Sequence, residues 1–501
     1  MENKFKVLFI YPNDFFMNML PPAIALFAAL LKNEGHEVDL FDTTYYRVEG
    51  GSFQHDKSKE EALHVAPTNM AEKGIFEKKT SPFDDLTIKL ESFQPDLIAM
   101  STVEDTFLRG IRLLKHISSF SVPTIIGGVF PTFAPEKAMS YSCVDMVCVG
   151  EGESVLIELC KRMKAGKSYY DIPGLWVKTK NGILRNAIKN FHNIDNLPLL
   201  DFSIFEEARL YRPMSGSIYR MLPVETHRGC PYRCAYCNSP PQNDLYRNEV
   251  GSLYFRKKSI NKIYEDICFY RDVWKAEYFY FWADTLLAWT DNEFDEFVEM
   301  YANIKIPFHC QTRPETITPY RMKRLKEVGI ESLSIGCEHG SEEFRRKVIK
   351  RSVSNEQIVN SFDCAYDHQV STTVNNIVGF PDETRALAFE SIELNRKLKV
   401  NKMGCVIFTP FHGTYLRDLA LERGYIDDAV LSNCFMEESL LNMPQFPVKQ
   451  ISALMHTFLL YSRLDKARWP DIEKVEKNLG SSKVEKLHEE LKQEYKDLFF
   501  A

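Results

Sequence analysis

The sequence predicts an α/β protein: an N-terminal Rossmann-like (flavodoxin-like) domain, then a partial (β/α)6 barrel, then a helical C-terminal region. Three observations predict it. Short runs rich in Val, Ile and Phe alternate with helical stretches through residues 5–160, and the same alternation returns through 224–408. The chain from Glu473 onward is highly charged, with an amphipathic stretch from Lys483 to Leu498. These patterns set boundaries at 1–160, 161–222 (a linker region), 223–424 and 425–501.

A chain of 501 residues is too long for one core, so two or three domains are expected. Its 45% hydrophobic and 26% charged content is that of an ordinary soluble globular protein. A net charge of −7 gives no basic footprint for nucleic acid, although a local basic groove stays open. Of the 12 cysteines, nine (143, 148, 160, 268, 310, 337, 364, 405 and 434) are scattered, mostly among apolar residues. Buried free thiols and a reducing, cytoplasmic compartment follow. The N-terminus shows no signal-peptide pattern, and the longest apolar run, Leu20 to Leu31, is too short to span a bilayer.

Val7 to Tyr11 reads as a buried parallel strand ended by Pro12-Asn13-Asp14, and Pro21-Pro22 opens a helix that Gly35 stops. Val38 to Phe41 is the next strand. Residues 47–82 are polar and irregular and carry no chemical signal. Alternation resumes with strands at Asp96–Ser101, Pro123–Ile126 and Asp145–Val149, the last two running into Gly127-Gly128 and Gly150-Glu151-Gly152-Glu153. Open α/β sheets bind ligands at such carboxyl ends, where glycine lets a bulky group approach the backbone. Glycines that only make turns would look the same. No GxGxxG follows the first strand, which disfavours a nicotinamide site. In 161–222, Leu175–Lys178 and Gly182–Leu184 read as a hairpin and Asn196–Asp201 as a boundary.

The second alternation has strands at Tyr278–Ala283, Phe308–Arg313, Ser332–Glu338, Thr372–Gly379 and Gly404–Phe408, with helices such as Asp291–Ile304 and Pro319–Val328 between them. Asp284, Gln311, Arg313, Glu338 and Asn376 all fall near strand C-terminal ends. Any one could be a structural plug; five at the same place favour a site. Before these strands comes Cys230-Pro-Tyr-Arg-Cys234-Ala-Tyr-Cys237. Three thiolates at this spacing can hold an iron–sulfur cluster with one iron left open, which points to chemistry rather than electron storage. A zinc knot or three unrelated thiols are the alternatives, and no paired CxxC or HxxxH supports zinc.

Residues 222–420 closely resemble the radical SAM domain. The likeness rests on the CxxxCxxC signature with Tyr236 before its last cysteine, Asp284, Arg313 in Thr-Arg-Pro-Glu, the run Gly336 to Glu342, and Val378 to Thr384. Cys337 and Asp382 depart from the usual Ile/Val and Gly. Residues 5–160, through Pro21-Pro22, Gly35 to Val38, Pro95 to Ile98, Gly127-Gly128-Val129-Phe130-Pro131-Thr132 and Gly150 to Glu153, resemble the cobalamin-binding domain of cobalamin-dependent radical SAM enzymes.

The resemblance implies that Cys230, Cys234 and Cys237 hold a [4Fe–4S] cluster and that S-adenosylmethionine is bound by Tyr236, Asp284, Gln311, Arg313, Glu338 and Asn376. It implies cobalamin over Ser101, Thr102, Val103, Glu104, Gly127, Gly128, Phe130, Pro131, Gly150, Glu151 and Gly152. The DxHxxG loop is absent, Asn13 to Met17 standing in its place, so no histidine of that type ligates cobalt. The usual outcome in the family is reductive cleavage of S-adenosylmethionine and methylation of an unactivated carbon of a small molecule, with an external donor such as flavodoxin or ferredoxin. A radical rearrangement, cyclisation or oxidation without methyl transfer is the alternative reading, and a non-catalytic cofactor sensor a third. No acid or base is assigned.

Overall fold

The computed structural model describes residues 4–47, 55–189, 191–432, 436 and 438–499. Cys434 lies outside the described residues. The chain forms two compact units, and neither is continuous in sequence. The first is Met1–His55, Asn69–Pro223 and Pro241–Ala276; the second is Asp56–Thr68, Val224–Pro240 and Glu277–Ala501.

In the first unit, β1 (Lys6–Tyr11), β2 (Glu37–Asp42), β3 (Leu97–Ser101), β4 (Thr124–Gly127) and β5 (Met146–Cys148) run parallel in the order β2-β1-β3-β4-β5. That is the flavodoxin-like order, with its switch point between β1 and β3. Val7, Leu8 and Ile10 are fully buried because helices cover both sheet faces. The hairpin β6 (Leu175–Thr179) and β7 (Gly182–Arg185) extends this sheet antiparallel beyond β5. A second hairpin, β8 (Tyr211–Met214) and β9 (Ser217–Glu225), follows.

After two short strands, β10 (His227–Arg228) and β11 (Arg256–Lys257), the second unit builds β12 (Tyr278–Trp282), β13 (Phe308–Thr312), β14 (Ile330–Glu338), β15 (Ser371–Val378) and β16 (Lys402–Ile407). These five are parallel, in the order β16-β15-β14-β13-β12. The end of β9, Val224-Glu225, belongs to this unit and stands next in the order.

Each strand has one buried and one half-buried face. On β14 and β15, Leu333, Ile335, Val374 and Val378 are wholly buried, and each large aliphatic side chain contributes about 1.5–3 kcal/mol by burial. Helices sit where their caps place them: Thr290 and Glu293 form a capping box before Asp291–Tyr301, and Thr318 caps Pro319–Glu327. The C-terminal region is helical: Val448–Arg463 buries ten of its sixteen residues, and Ser482–Phe499 is the charged amphipathic helix. Among the described residues no helix is long and apolar enough to cross a membrane.

Segment 56–68, which looked featureless in sequence, reaches β16 through His64. The backbone N–H of Cys405 donates to Nε2 of His64 at 3.2 Å, on β16, the last strand of the order.

Candidate active site

The cysteine stretch is a loop between β10 and the helix Ser239–Val250. Ala235 anchors it: its N–H donates to the Ile349 carbonyl at 3.0 Å and its carbonyl accepts from Leu416 N at 3.1 Å. Asn238 Nδ2 donates to the His412 carbonyl at 2.8 Å. Each thiol has a polar neighbour. Cys230 Sγ lies 3.6 Å from Thr285 Oγ1, Cys234 Sγ accepts from Arg313 Nη1 at 3.1 Å, and Cys237 Sγ accepts from Ser239 N at 3.4 Å. Burial pushes the Cys237 thiol up to about 12 and raises that of Cys230, so ligation releases protons. Arg313 is also stacked over Tyr232, 3.9 Å from the ring centroid.

Asp284 follows β12 and accepts from Ser239 Oγ at 2.8 Å. Its surface is partly exposed, yet the protein crowding its carboxyl raises the pKa by desolvation.

Glu338 ends β14 at a bulge in the register between Gly336 and Glu338, with φ of +66°. Arg351 Nη1 donates to Glu338 Oε1 at 2.7 Å and lies 3.4 Å from Tyr236 Oη; its Nη2 donates to the Gly336 carbonyl at 2.8 Å. A Cβ at Gly336 would come within 2.1 Å of Glu338 Oε1, so glycine is what lets this carboxylate fold back over the strand. Burial, then the Glu338 charge, holds the Tyr236 hydroxyl well above its usual range. Sequence reasoning missed Arg351, which sits in a strongly basic run behind a π-helical turn, Arg345–Ile349. Such turns recur at functional sites.

The structure thus brings Tyr236, Arg313 and Glu338 around the cysteine loop, with Asp284 tied to its far end. Gln311 lies on the half-buried face of β13, in register with Ser334. Asn376 does not join them. It is wholly buried on the opposite face, exchanging hydrogen bonds with Asn395 (3.0 and 2.7 Å) and donating to the Gly404 carbonyl at 3.1 Å. Its neighbour Asn375 occupies the half-buried face, in register with Gly336 and Gly404. The two glycine-rich motifs around β14 and β15 meet on the buried side as well: Glu383 accepts from Gly379 N (2.6 Å) and Phe380 N (2.9 Å) and pairs with His339 Nε2 at 3.2 Å.

In the first unit, the strand ends form a separate cradle. Gly128 has φ of +123°, and a Cβ there would meet the Thr102 carbonyl oxygen at 2.2 Å. Thr132 Oγ1 donates to the Gly128 carbonyl (2.8 Å) and accepts from Gly150 N (3.1 Å), knitting the β4 and β5 loops together. Gly150, with φ of +85°, presses against Tyr246 Oη, which accepts from Glu151 N at 2.8 Å. Val103 and Val129 stand exposed at 46% and 40% beside Ser101, Thr102 and Gly127, an apolar surface suited to a flat macrocycle. Glu104 is buried, the Glu151 carboxylate pairs with Arg256, and Gly152 lies against Phe27. Phe130 and Pro131 point inward, Phe130 packing on Phe107 with centroids 4.6 Å apart. A charged group missed in sequence lies at the β1/β3 switch point: Arg109 Nη2 donates to Asp14 Oδ1 at 2.8 Å, beside the buried Asp105 carboxyl.

A family model described as the Radical SAM superfamily matches residues 224–394, and one described as the B12 binding domain matches residues 71–160. These two domains in one chain define a cobalamin-dependent radical SAM enzyme. The chain belongs to that class, resembling its class B methyltransferases, and its cofactors are a [4Fe–4S] cluster, S-adenosylmethionine and cobalamin.

It is 24% identical over 386 residues to an uncharacterized methyltransferase of Pyrococcus horikoshii, PH0819, covering 74% of this chain and 80% of that protein. It is 22% identical over 408 residues to the anaerobic magnesium-protoporphyrin IX monomethyl ester cyclase of Cereibacter sphaeroides, covering 72% of this chain and 63% of that one. Among solved structures, the fold is shared with the radical S-adenosylmethionine methyltransferase TsrM of Kitasatospora setae (TM-score 0.62, 14% identity, 85% of this chain and 77% of that chain). It is shared also with the cobalamin-dependent S-adenosylmethionine radical enzyme OxsB (TM-score 0.68, 15% identity, 99% and 72%).

The residues present fit these groups. Among the described residues no cluster of His, Cys, Asp and Glu is suited to a single metal ion. A cluster instead spreads its thiolates over separate irons, and donors from Arg313 and Ser239 already face two of the sulfurs. At Gly128 and Gly150 a Cβ would run into the Thr102 backbone and Tyr246 Oη, so glycine is what lets the strand-end loops pack this closely.

Proposed function

We propose that this enzyme methylates an unactivated carbon of a small-molecule or natural-product substrate. The observation that carries the reading is the pairing, in one chain, of a guanidinium-backed three-thiol loop with glycine-rich strand ends in a domain matched by the B12 binding model. When bound, the cofactors supply one-electron cleavage of a sulfonium and a methyl carrier. Cys230, Cys234 and Cys237 hold the cluster, and Arg313 stabilises the charge on Cys234. Glu338, fixed by Arg351, accepts from the hydroxyl and amino groups of S-adenosylmethionine, with Tyr236, Gln311 and Asp284 around it. Asn376 supports β15 from behind, and Asn375 faces the ligand. Backbone at Ser101–Glu104, Gly127–Gly128 and Gly150–Gly152 receives cobalamin.

We take 1–160, 161–222, 223–424 and 425–501 as the functional divisions of the chain, whereas by compactness 56–68 goes with the second unit and 241–276 with the first. A cytoplasmic location agrees with the free thiols of every described cysteine. The names of relatives, an uncharacterized methyltransferase and a bacteriochlorophyllide d C-12(1)-methyltransferase of Chlorobaculum tepidum, support methyl transfer. The magnesium-protoporphyrin cyclase favours a second reading, cyclisation or oxidation without a methyl group.

Anaerobic reconstitution with cobalamin and S-adenosylmethionine, then product analysis against candidate substrates, separates them. Methyl transfer adds one CH₂ unit and yields S-adenosylhomocysteine besides 5′-deoxyadenosine. Cys234→Ala abolishes cluster and cleavage together; a variant that still forms 5′-deoxyadenosine would sink the proposal.

A further inference from the structure

The run Arg345-Arg346-Lys347-Val348-Ile349-Lys350-Arg351 is strongly basic within a chain of net charge −7. The structure divides it. Arg345 and Arg351 are buried and committed, Arg351 to Glu338 and Arg345 to the Val353 carbonyl and Asn355 Oδ1 at 2.9 and 2.7 Å. Arg346, Lys347 and Lys350 are exposed and serve no internal charge except the Lys347 pairing with Glu343 at the surface. Their turn is bonded directly to the cysteine loop, because the Ile349 carbonyl accepts from Ala235 N at 3.0 Å. The other bond of Ala235, to Leu416 N, brings in Tyr415, a residue 54% exposed whose ring lies 5.7 Å from Lys350 Nζ. Arg233, also exposed, stands on the cysteine loop itself.

We propose that Arg346, Lys347, Lys350 and Tyr415, with Arg233, form the docking face for a small acidic electron-carrier protein that reduces the cluster. The inference rests on the radical SAM reading of the cysteines. The face is bonded through Ile349 and Leu416 to Ala235, which lies between Cys234 and Cys237 in the cysteine loop. The charges oppose those of an acidic carrier: Arg346, Lys347 and Lys350 are exposed in one run beside Glu342 and Glu343, and an exposed tyrosine supplies the apolar anchor typical of interface hot spots. A charged patch with one aromatic suits the small, transient interfaces of electron-transfer pairs, in which charge sets the encounter rate. One electron leaves the carrier and enters the cluster; no atom is transferred.

The test uses the cluster-reconstituted enzyme with S-adenosylmethionine and three reductants: reduced flavodoxin, reduced ferredoxin and dithionite. The readouts are the 5′-deoxyadenosine rate and the extent of cluster reduction by electron paramagnetic resonance. For R346E/K347E/K350E, the carrier-driven rate at low salt should fall about tenfold or more, while the dithionite-driven rate stays within about twofold of wild type. The wild-type carrier-driven rate should itself fall with added salt, and Y415A should raise the carrier concentration needed for half-maximal rate. Carrier-driven rates unchanged by charge reversal for both proteins would overturn the proposal, as would a parallel loss with dithionite. Absence of 5′-deoxyadenosine from wild type with dithionite would instead overturn the functional reading on which it rests.

Discussion

Arg351 grips the Glu338 carboxylate with one guanidinium nitrogen at 2.7 Å and the Gly336 carbonyl with the other at 2.8 Å. One side chain therefore fixes both a candidate ligand-binding carboxylate and the bulge that presents it. Truncating Arg351 to Ala leaves a carboxylate buried and uncompensated, a loss of about 3–5 kcal/mol. Glu338→Gln keeps the shape and removes the charge. Urea unfolding should show R351A strongly destabilised and E338Q less so, because Gln still accepts the Arg351 hydrogen bond but no longer balances its buried charge. Equilibrium dialysis should show both weakened for S-adenosylmethionine by about tenfold or more. Native affinity in E338Q would remove Glu338 from the site.

Adjacent asparagines on β15 should separate stability from activity. Asn376→Ala leaves the Asn395 amide without its partner in the core, at a cost of about 1–3 kcal/mol. Asn375→Ala touches only the half-buried face. Denaturant midpoints should drop for N376A alone, and turnover per folded molecule for N375A alone.

Two consecutive glycines make a controlled comparison at the first cradle. A methyl at Gly127 meets Cys148 Cβ at an ordinary 3.6 Å, whereas at Gly128 it meets backbone oxygen at 2.2 Å with φ of +123°. Cobalamin content after reconstitution, read from visible absorbance, should be near native in G127A and largely lost in G128A.

Acidity should favour the first unit through Asp105. Burial, then the neighbouring Asp14, raises its carboxyl pKa to about 7, with Arg109 opposing. The folded state therefore holds this proton more tightly than the unfolded chain, whose carboxyl titrates near 4. The resulting stability is fully present below about pH 4 and is lost as pH rises through 7. Thermal melts should show wild type losing stability between about pH 4 and 7 and levelling off above it. Asp105→Asn should flatten that slope and gain about 1–2 kcal/mol at the alkaline end.

Sequence periodicity located the parallel strands of both sheets within two residues, since their apolar runs are bounded by turn residues. The strand read at Val224 to Gly229 is instead the end of β9, which starts at Ser217, followed by the separate β10. The thiol spacing and the polar residues after β12, β13 and β14 were legible for the same reason. Asn376 shows the limit. Position near a strand end says nothing about face when two asparagines adjoin, and the Gly336–Glu338 bulge shifts the register by one. Arg351 and Tyr246 lie far along the chain from what they support, and no local pattern marks such partners. Asp382 was legible: its φ of +64° confirms the glycine-like demand of that turn, and Tyr425 Oη steadies its carboxylate at 2.8 Å.

His64 accepts from the backbone of β16, yet it arrives from a segment more than 150 residues ahead of the cysteines. No single cut of the polypeptide can then release the second unit whole. An excised 224–501 fragment would present the Cys405 amide bare on a terminal strand, an invitation to pair with another chain. The second unit is thus inherited intact only together with the sequence that precedes the cysteines, because His64 is part of it.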